Sequence, residues 1–488
     1  MADMGIIYNG PGVRNYLTDA WNEYDGKIGI KHRGSSSLGF PKKQYGIETR
    51  SIHPVSGDTL NFNASIFDWP SDNDYVLYAP YSDKTLMRNS LTYELGRQLG
   101  DWAPRTKFCE MVLNGEYMGV FVFMERIKQA SGRVDIDKLE QTDIAFNELT
   151  GGYIVRVDRG TVAWTSPFPA NDGFTDMDFV LDEPVIDSIQ PVQQNYIQTY
   201  ITDFEAALDG PNYQSPTLGY RPYIDLLTFQ NYFIMTELAK DVDGYRLSTF
   251  FYKEKDSDGG KLKAGPLWDF NLAWGNADYC NGGTTFAWAE DINSFCGGNP
   301  VQFWWDKLHT DPYYADSLQC HWQNLRQDEL HEDSIHKIID DWAAYLDESQ
   351  IRNYQRWPVL GIYLWPNYYV GATYQDEIDY MKQWVTDRLT WMDINMFGSC
   401  VVGVDETQEI QGMVVPNPTN GKTRIKLNES ISDADIRLVN LTGQIIMSKE
   451  GLAGNQIELD LTELAEGVYH YVIEAAEGRL SHGKIIKQ

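Results

Sequence analysis

The sequence lacks any run of about 18 apolar residues, which excludes a helical membrane span. It is also poor in basic residues, with 40 lysines and arginines against 70 aspartates and glutamates. The resulting net charge of −30 repels phosphate backbones and argues against a nucleic-acid binder. The first residues show no basic and then apolar pattern of a signal peptide.

Cysteines are few and odd in number, at five. They form no CxxC pair and have no histidine at zinc-ligand spacing, which excludes the common zinc motifs. Cys280 and Cys296 bracket a stretch rich in Gly, Asn and Thr, and we expect a disulfide between them; the alternative is two free thiols. Cys109 lies in an alternating apolar run and is expected to be a small buried residue.

Aromatic residues are abundant, with 15 Trp, 30 Tyr and 20 Phe in 488 residues. This content, with 42% hydrophobic residues, predicts a folded protein of several domains. The tryptophans after residue 300 fit either a helical core or stacking platforms for sugars, and we expect the core for most of them. They are Trp304, Trp305, Trp322, Trp342, Trp357, Trp365, Trp384 and Trp391.

The pattern along the chain predicts an α+β fold with a β-rich lobe over about 1–185 and a helical lobe over about 186–400. In the first lobe, a hairpin with a Gly/Ser-rich tip spans 27–50, and Asn114-Gly115 marks a second hairpin. In the second, a helix within 222–240 precedes a hairpin whose tip is the sequence DSDGG. After a polar linker at 401–410, short alternating strands over 411–488 predict a small all-β, Ig-like sandwich.

Two acidic sites fall at one end of the second hairpin. Asp241 and Asp243 follow the helix, and Asp269 follows Trp268 after the hairpin. Phosphoryl transfer needs a carboxylate that positions the acceptor hydroxyl and another that holds Mg²⁺. The order helix, acidic loop, hairpin and Asp-Phe is that of protein kinases. On spacing alone, the preferred explanation is that Asp269 caps the following segment and that Asp241 and Asp243 belong to a solvated loop.

Several segments in fixed order resemble the spore-coat protein H (CotH) kinase family over roughly residues 25–398. They are RGSSSLGFPKKQYGIE (33–48), LYAPYSDKTLMRNSLTYELGRQLG (77–100), NGEYMGVFVFMERI (114–127) and VDGYRLSTFFYKEKDSDGGKLKAGPLWDFNLAWGNADYC (242–280). The resemblance implies a two-lobed atypical protein-kinase-like fold that uses Mg²⁺ and ATP to phosphorylate Ser or Thr of a protein.

Positions matched to the family's motifs imply roles for individual residues. Asp269 is then the principal Mg²⁺ ligand, and Asp243 the catalytic carboxylate, with Asp241 as the rival for that role. Asn271 stands where the family commonly has a second acid, so it supplies an amide oxygen and less charge to the metal.

The phosphate clamp is expected in the first lobe. Arg33, Ser35 and Ser36 form a loop that can present donors to phosphate, although an ordinary hairpin tip has the same composition. Lys43 adds a point charge and can pair with Glu125, as in kinases; the alternative is a surface salt bridge. Arg88 begins the helix of this lobe, facing either the cleft or solvent.

The C-terminal segment resembles the type A C-terminal sorting domain of the Bacteroidetes type IX secretion system. PNPTNG, NLTGQII, EGVYHYVI and the terminal KIIKQ match in order over 411–488. This implies handling by the type IX machinery and a secreted or cell-surface protein, whose leader we expect to precede residue 1. An adhesion or carbohydrate-binding sandwich is the competing interpretation.

Two hypotheses follow. The first is a secreted Mg-ATP-dependent protein kinase acting on protein Ser/Thr. The second is a catalytically inactive kinase-like surface or matrix protein that binds glycan or protein, for example through exposed tryptophans.

Overall fold

The computed structural model describes residues 1–400, 412–440, 445–474 and 480–488, which form two compact units, Met1–Ser399 and Cys400–Gln488. The linker expected at 401–410 lies outside the described residues.

The first unit opens with a seven-stranded antiparallel sheet. Its strand order is β1-β2-β3-β5-β7-β6, and β4 also pairs with β3. The strands are β1 (Ala2–Ile6), β2 (Tyr24–Arg33), β3 (Gln44–Ile52), β4 (Thr59–Asn61), β5 (Asp74–Tyr78), β6 (Thr106–Leu113) and β7 (Glu116–Glu125), and helix α1 (Arg88–Gln98) lies between β5 and β6.

Both predicted hairpins are present in this sheet. The Gly/Ser-rich tip between β2 and β3 holds a short 3₁₀ helix, Ser36–Gly39. The β6–β7 turn has Asn114 at φ 50° and Gly115 at φ 84°. Two successive positive φ angles are what a tight two-residue hairpin turn needs, and Asn and Gly tolerate them best.

A second sheet of five strands carries the chain toward the acidic residues. Its order is β12-β11-β8-β10-β9, with every pair antiparallel. The strands are β8 (Tyr153–Val157), β9 (Trp164–Thr165), β10 (Asp178–Glu183), β11 (Thr249–Lys253) and β12 (Leu262–Ala264). This sheet joins strands from both sides of residue 185, so the expected division into two lobes remains a prediction.

Seven further helices complete this unit: α2 (Pro191–Asp209), α3 (Leu226–Ala239), α4 (Trp304–His309), α5 (Pro312–Leu325), α6 (Glu332–Tyr345), α7 (Asp347–Arg356) and α8 (Tyr374–Asn395). One apolar core runs from the first sheet through α1 and α3 to α8. Helix α3 lies deepest, with every side chain from Thr228 to Ala239 buried.

Six of the eight tryptophans after residue 300 lie in the core or pack against it, as predicted, and two of these, Trp342 and Trp391, are only partly buried. Trp304, Trp305, Trp322 and Trp384 are all less than 4% exposed, whereas Trp365 is 49% exposed. Because these rings are buried, few of the tryptophans are available to stack on sugars.

The second unit is all β among its described residues. It contains β13 (Gly412–Val415), β14 (Lys422–Val439), β15 (Ile445–Asp460), β16 (Gly467–Glu474) and β17 (Leu480–Lys487), all paired antiparallel. Apolar residues of β14, β15 and β16 alternate into a core of its own. The all-β prediction is confirmed, and its Ig-like layering remains a prediction.

Across the described parts of both units, no helix combines the length and apolarity needed to cross a membrane.

Candidate active site

The acidic loop, residues 241–247, follows directly after the end of α3 and is held by it. Asp225 caps the start of this helix by accepting from the Thr228 amide at 3.1 Å. At the other end Lys240 takes a left-handed conformation, with φ 47°, which turns the chain into the acidic loop. There the Asp243 amide donates to the Asp241 carboxylate at 3.3 Å.

The second acidic position follows β12. Asp269 has φ 69°, and its amide donates to the hydroxyl of Tyr93 in α1 at 3.0 Å. The ring of Tyr93 also stacks on Trp268, with 6.3 Å between centroids. Helix α1 thus fixes the backbone that carries Asp269.

The structure brings the three aspartates close enough for their charges to interact. Burial raises the pKa of Asp241 well above its usual range, and the charges of Asp243 and Asp269 add to that effect. Burial likewise raises the pKa of Asp269 to about 6, with the charge on Asp243 as the next cause. The pKa of Asp243 is raised by burial too. The loop after α3 and the aspartate after Trp268 therefore share one electrostatic site.

Two of these carboxylates have no protein partner among the residues that the structure describes. Asp243 is half-buried, and Asp269 is exposed to water although enough protein lies around its carboxylate to desolvate it. Neither side chain accepts a hydrogen bond or forms an ion pair with any described residue. Acids with raised pKa values and no protein partner are candidates for a functional site, because a bound ligand can complete them.

Arginines surround the acidic groups. Arg33 lies over the Trp268 ring at 5.3 Å, and its charge lowers the pKa of Asp269 against the effect of burial. Arg159 similarly lowers the pKa of Asp243, and its guanidinium donates to the Ser35 hydroxyl at 3.5 Å. The predicted Arg33 and Ser35 are thereby placed beside the site, and Arg159 joins them.

Sequence reasoning missed Arg159 and also Arg246, whose charge lowers the pKa of Asp241 and Asp243 against the effect of burial. It also missed Arg126, whose charge acts on Arg33. The available signal for Arg159 was the charged sequence Asp158-Arg159-Gly160 directly after the buried strand β8. A charged pair at the end of a buried strand is a recurring position for site residues.

The backbone around the site is unusually strained. Among the described residues, thirteen other than glycine have positive φ, and eight of them lie between residues 240 and 287. Left-handed conformations cost about 1–3 kcal/mol each for such residues and cluster at functional sites. The eight are Lys240, Tyr245, Ser248, Asp269, Trp274, Cys280, Asn281 and Ala287.

The expected pairing of Lys43 with Glu125 is wrong. Lys43 donates to the Leu38 carbonyl at 2.5 Å and so closes the hairpin tip. Glu125 is fully buried and pairs with Arg105 at 2.8 Å. The reason is strand register, since Glu125 ends β7 opposite the residues that lead into β6, where the Arg105 amide also donates to it.

Arg88 is not an open cleft residue either. It is 1% exposed and pairs with Asp83 at 2.6 Å, and its amide donates to the same carboxylate. The Asp83 carboxylate thus accepts from the first amide of α1, and the Arg88 guanidinium neutralises its buried charge. Ser36 is exposed in the hairpin tip.

The residues present fit a hard divalent ion held by few protein ligands. Within the described residues, only Asp137, Glu254 and Asp258 bring three carboxylates within 4.8 Å of one another, and Lys255 already pairs with Asp137 there. Asp269 instead offers an open carboxylate with Asn271 two residues further on. Mg²⁺ is commonly held by one or two carboxylates together with substrate phosphates, and this donor set suits that arrangement.

These features define an α+β protein in which two loops share an acidic, arginine-flanked site, followed along the chain by a separate all-β unit. The family model described as CotH kinase protein matches residues 30–392. The chain belongs to this CotH kinase protein family. The model described as secretion system C-terminal sorting domain matches residues 413–488, which indicates export to the cell surface or beyond and handling by the type IX secretion system.

Other comparisons add little. A search of curated proteins finds no match. The crystal structure of CopC from Methylosinus trichosporium OB3b is 17% identical over 15% of this chain and 88% of that chain, with a TM-score of 0.13. A score this low carries no inference about fold or function.

Proposed function

We propose that this protein is a secreted atypical protein kinase that transfers the γ-phosphate of ATP to Ser or Thr of a protein, with Mg²⁺. One observation carries the proposal: Asp243 and Asp269, from two loops 26 residues apart along the chain, share an electrostatic site and have no partner among the described residues. Membership of the CotH kinase protein family supports the same reaction class.

Asp243 is the catalytic carboxylate in this proposal. It orients the acceptor hydroxyl, whose oxygen bonds to the γ-phosphorus while the bond from that phosphorus to the bridging oxygen breaks. The hydroxyl proton passes to Asp243, and the electron pair of the broken bond leaves with ADP. Asp241, buried behind it, accepts from the Asp243 amide and so fixes the loop.

Asp269 and Asn271 are the residues that would hold Mg²⁺, which when bound supplies positive charge to the phosphate oxygens. Arg33 and Arg159 would neutralise further phosphate charge. The charge of Arg33, at the end of β2, acts on Asp269, and that of Arg159, after the end of β8, acts on Asp243. Ser35 and Ser36 offer hydroxyls at the tip that Lys43 closes.

A transfer assay with Mg-ATP labelled at the γ-phosphate tests this function, with dephosphorylated casein and the protein itself as acceptors. Wild type should incorporate label, and Asp243→Asn and Asp269→Asn should each lose at least about 100-fold in rate, within the range for a positioned acid or base. Asp176→Asn is the matched control, because this exposed aspartate has no hydrogen-bond partner among the described residues. Full activity in both site variants, or neither transfer nor a nucleotide-induced thermal shift in wild type, would refute the proposal.

A further inference from the structure

The Cys280–Cys296 disulfide closes a loop that lies against the acidic segment. The two cysteines are joined, as predicted, with Cα atoms 5.2 Å apart. We call residues 280–296 the disulfide loop. The hydrogen bonds that its main chain accepts include three from Lys240 and two from Arg388, which donates to the carbonyls of Thr285 at 2.9 Å and Ala287 at 2.8 Å.

Lys240, the last residue before the acidic loop, is anchored entirely by the disulfide loop. Its ammonium donates to the carbonyls of Asn281 at 3.0 Å, Thr284 at 3.0 Å and Phe286 at 2.5 Å, and to the Thr284 hydroxyl at 2.8 Å. These contacts of the Lys240 ammonium hold in place the residue whose backbone makes the left-handed turn.

Glu237 connects the disulfide loop to the part of the acidic loop that follows Asp243. Its buried carboxylate accepts from the amides of Ala289 at 2.6 Å and Glu290 at 2.9 Å. It also accepts from the Tyr245 hydroxyl at 3.0 Å and pairs with Arg388 at 3.1 Å. Residues 240 and 245, on either side of Asp241 and Asp243, are therefore both tied to the disulfide loop.

Arg246 makes contact at the disulfide itself. It is 4% exposed, and its Nε donates to the Val242 carbonyl at 2.8 Å, inside the acidic loop. One terminal nitrogen lies 3.7 Å from the Cys280 sulfur, and the other donates to the Gly297 carbonyl at 3.3 Å. Its side chain thus bridges the acidic loop and both ends of the disulfide loop.

We propose that Arg246 is a positioning residue for Asp241 and Asp243, and that the Cys280–Cys296 disulfide holds Arg246 in place. The positive charge of Arg246 also favours the ionised forms of both aspartates. Its catalytic consequence rests on the proposed kinase function, whereas the ordering of the acidic loop does not.

The consequence is a site that is complete only after the disulfide has formed. Its formation takes two electrons and two protons from the two thiols and passes them to a thiol–disulfide oxidant, a reaction of oxidising compartments. A protein on the export route would therefore assemble its acidic loop after leaving the reducing cytosol.

Hydrogen–deuterium exchange of the full chain tests the ordering directly. The amides of Gly244, Arg246 and Leu247 donate within the loop, to the carbonyls of Asp241 and Asp243. They should exchange at least about tenfold faster in Arg246→Ala and in the Cys280→Ala/Cys296→Ala double variant. Arg246→Lys should restore part of the protection, and Cys109→Ala, at the free thiol, should change none of it.

Helix α6 (Glu332–Tyr345) serves as the internal reference, because general destabilisation would accelerate its amides as well. Faster exchange confined to 241–247 supports positioning. Unchanged exchange there, or equal acceleration in α6, overturns it.

The transfer assay supplies a second readout. Arg246→Ala and the double cysteine variant should each lower kcat at least about tenfold, with the KM for ATP changed less than about twofold. The reason is that Arg246 positions Asp243, the carboxylate that orients the acceptor hydroxyl. A wild type without transfer would refute the kinase function while the exchange result still decides the role of Arg246.

Discussion

Asp269 carries a cost for stability because its folded pKa of about 6 exceeds the value of about 3.9 for an unfolded aspartate. A raised acid pKa means that the folded state prefers the protonated form. The contribution of the protonated Asp269 side chain to the free energy of unfolding is therefore fully present below about pH 4. It is lost as the pH rises through about 6.

Asp269→Asn removes this dependence, because asparagine is neutral at every pH. We expect the free energy of unfolding to rise by about 1 kcal/mol at pH 8, an amount discounted for the exposure of the carboxylate, and to stay nearly unchanged at pH 4. Urea unfolding at the two pH values measures it, with Asp176→Asn as control. A loss of stability at pH 8 would show that the carboxylate has a partner in the fold.

At this scale, the three aspartates could be predicted because the helix and the hairpin that bring them together are local in sequence. Arg159 and Arg246 could not. The position of Arg159 depends on the pairing of β8 with β11, and that of Arg246 on the disulfide loop. The partner of Glu125 could not be predicted. A sequence can indicate that a charged residue ends a strand, but it does not indicate which residue lies opposite.

Among the elements, α7 reaches from the helical region to strand β7 of the first sheet. The Asn353 side-chain oxygen accepts from the Val120 amide at 3.0 Å and from buried Lys42 at 3.0 Å. The Trp357 indole donates to the Met118 carbonyl at 2.8 Å. The approach is possible because Gly119 lies between, at a register shift of β7 against β6.

Gly119→Ala should disrupt this contact. Gly119 has φ +94°, and a Cβ there would lie 2.5 Å from the Asn353 oxygen. We expect a loss of about 2–3 kcal/mol in the free energy of unfolding, from backbone strain together with displacement of α7.

Gly100→Ala is the matched control, since Gly100 has φ +93° and nothing within 4 Å of its added Cβ. It should cost only about 1 kcal/mol, the backbone contribution alone. Equal losses in the two variants, measured by urea unfolding, would contradict a specific role for the α7 contact.

Local turn chemistry made the hairpins predictable. Asn114-Gly115 and the DSDGG tip fix the chain reversal within a few residues, and both hairpins are present. The contact of α7 with β7 joins residues more than 230 positions apart, so no pattern within either element indicates it.

For the whole molecule, the two compact units predict that the first folds without the second. A chain ending at residue 405, which keeps the disulfide-bonded Cys400, should unfold within about 2 °C of the main transition of the full chain. Calorimetry measures this, and a shift of more than about 10 °C would contradict independent folding.

The same truncation removes the sorting domain matched at 413–488. Expressed behind an export leader in a host with a type IX system, the shortened chain should stay within the cell envelope, whereas the full chain reaches the surface or the medium. Equal export of both chains would contradict the role of this domain.

The most direct test of the central claim is a crystal structure with Mg²⁺ and a non-hydrolysable ATP analogue. The account predicts the ion on Asp269, the phosphates between Arg33 and the aspartates, and the Asp243 carboxylate facing the γ-phosphate. Nucleotide bound elsewhere, or none at saturating concentration with Asp243 and Asp269 turned away from each other, would contradict it.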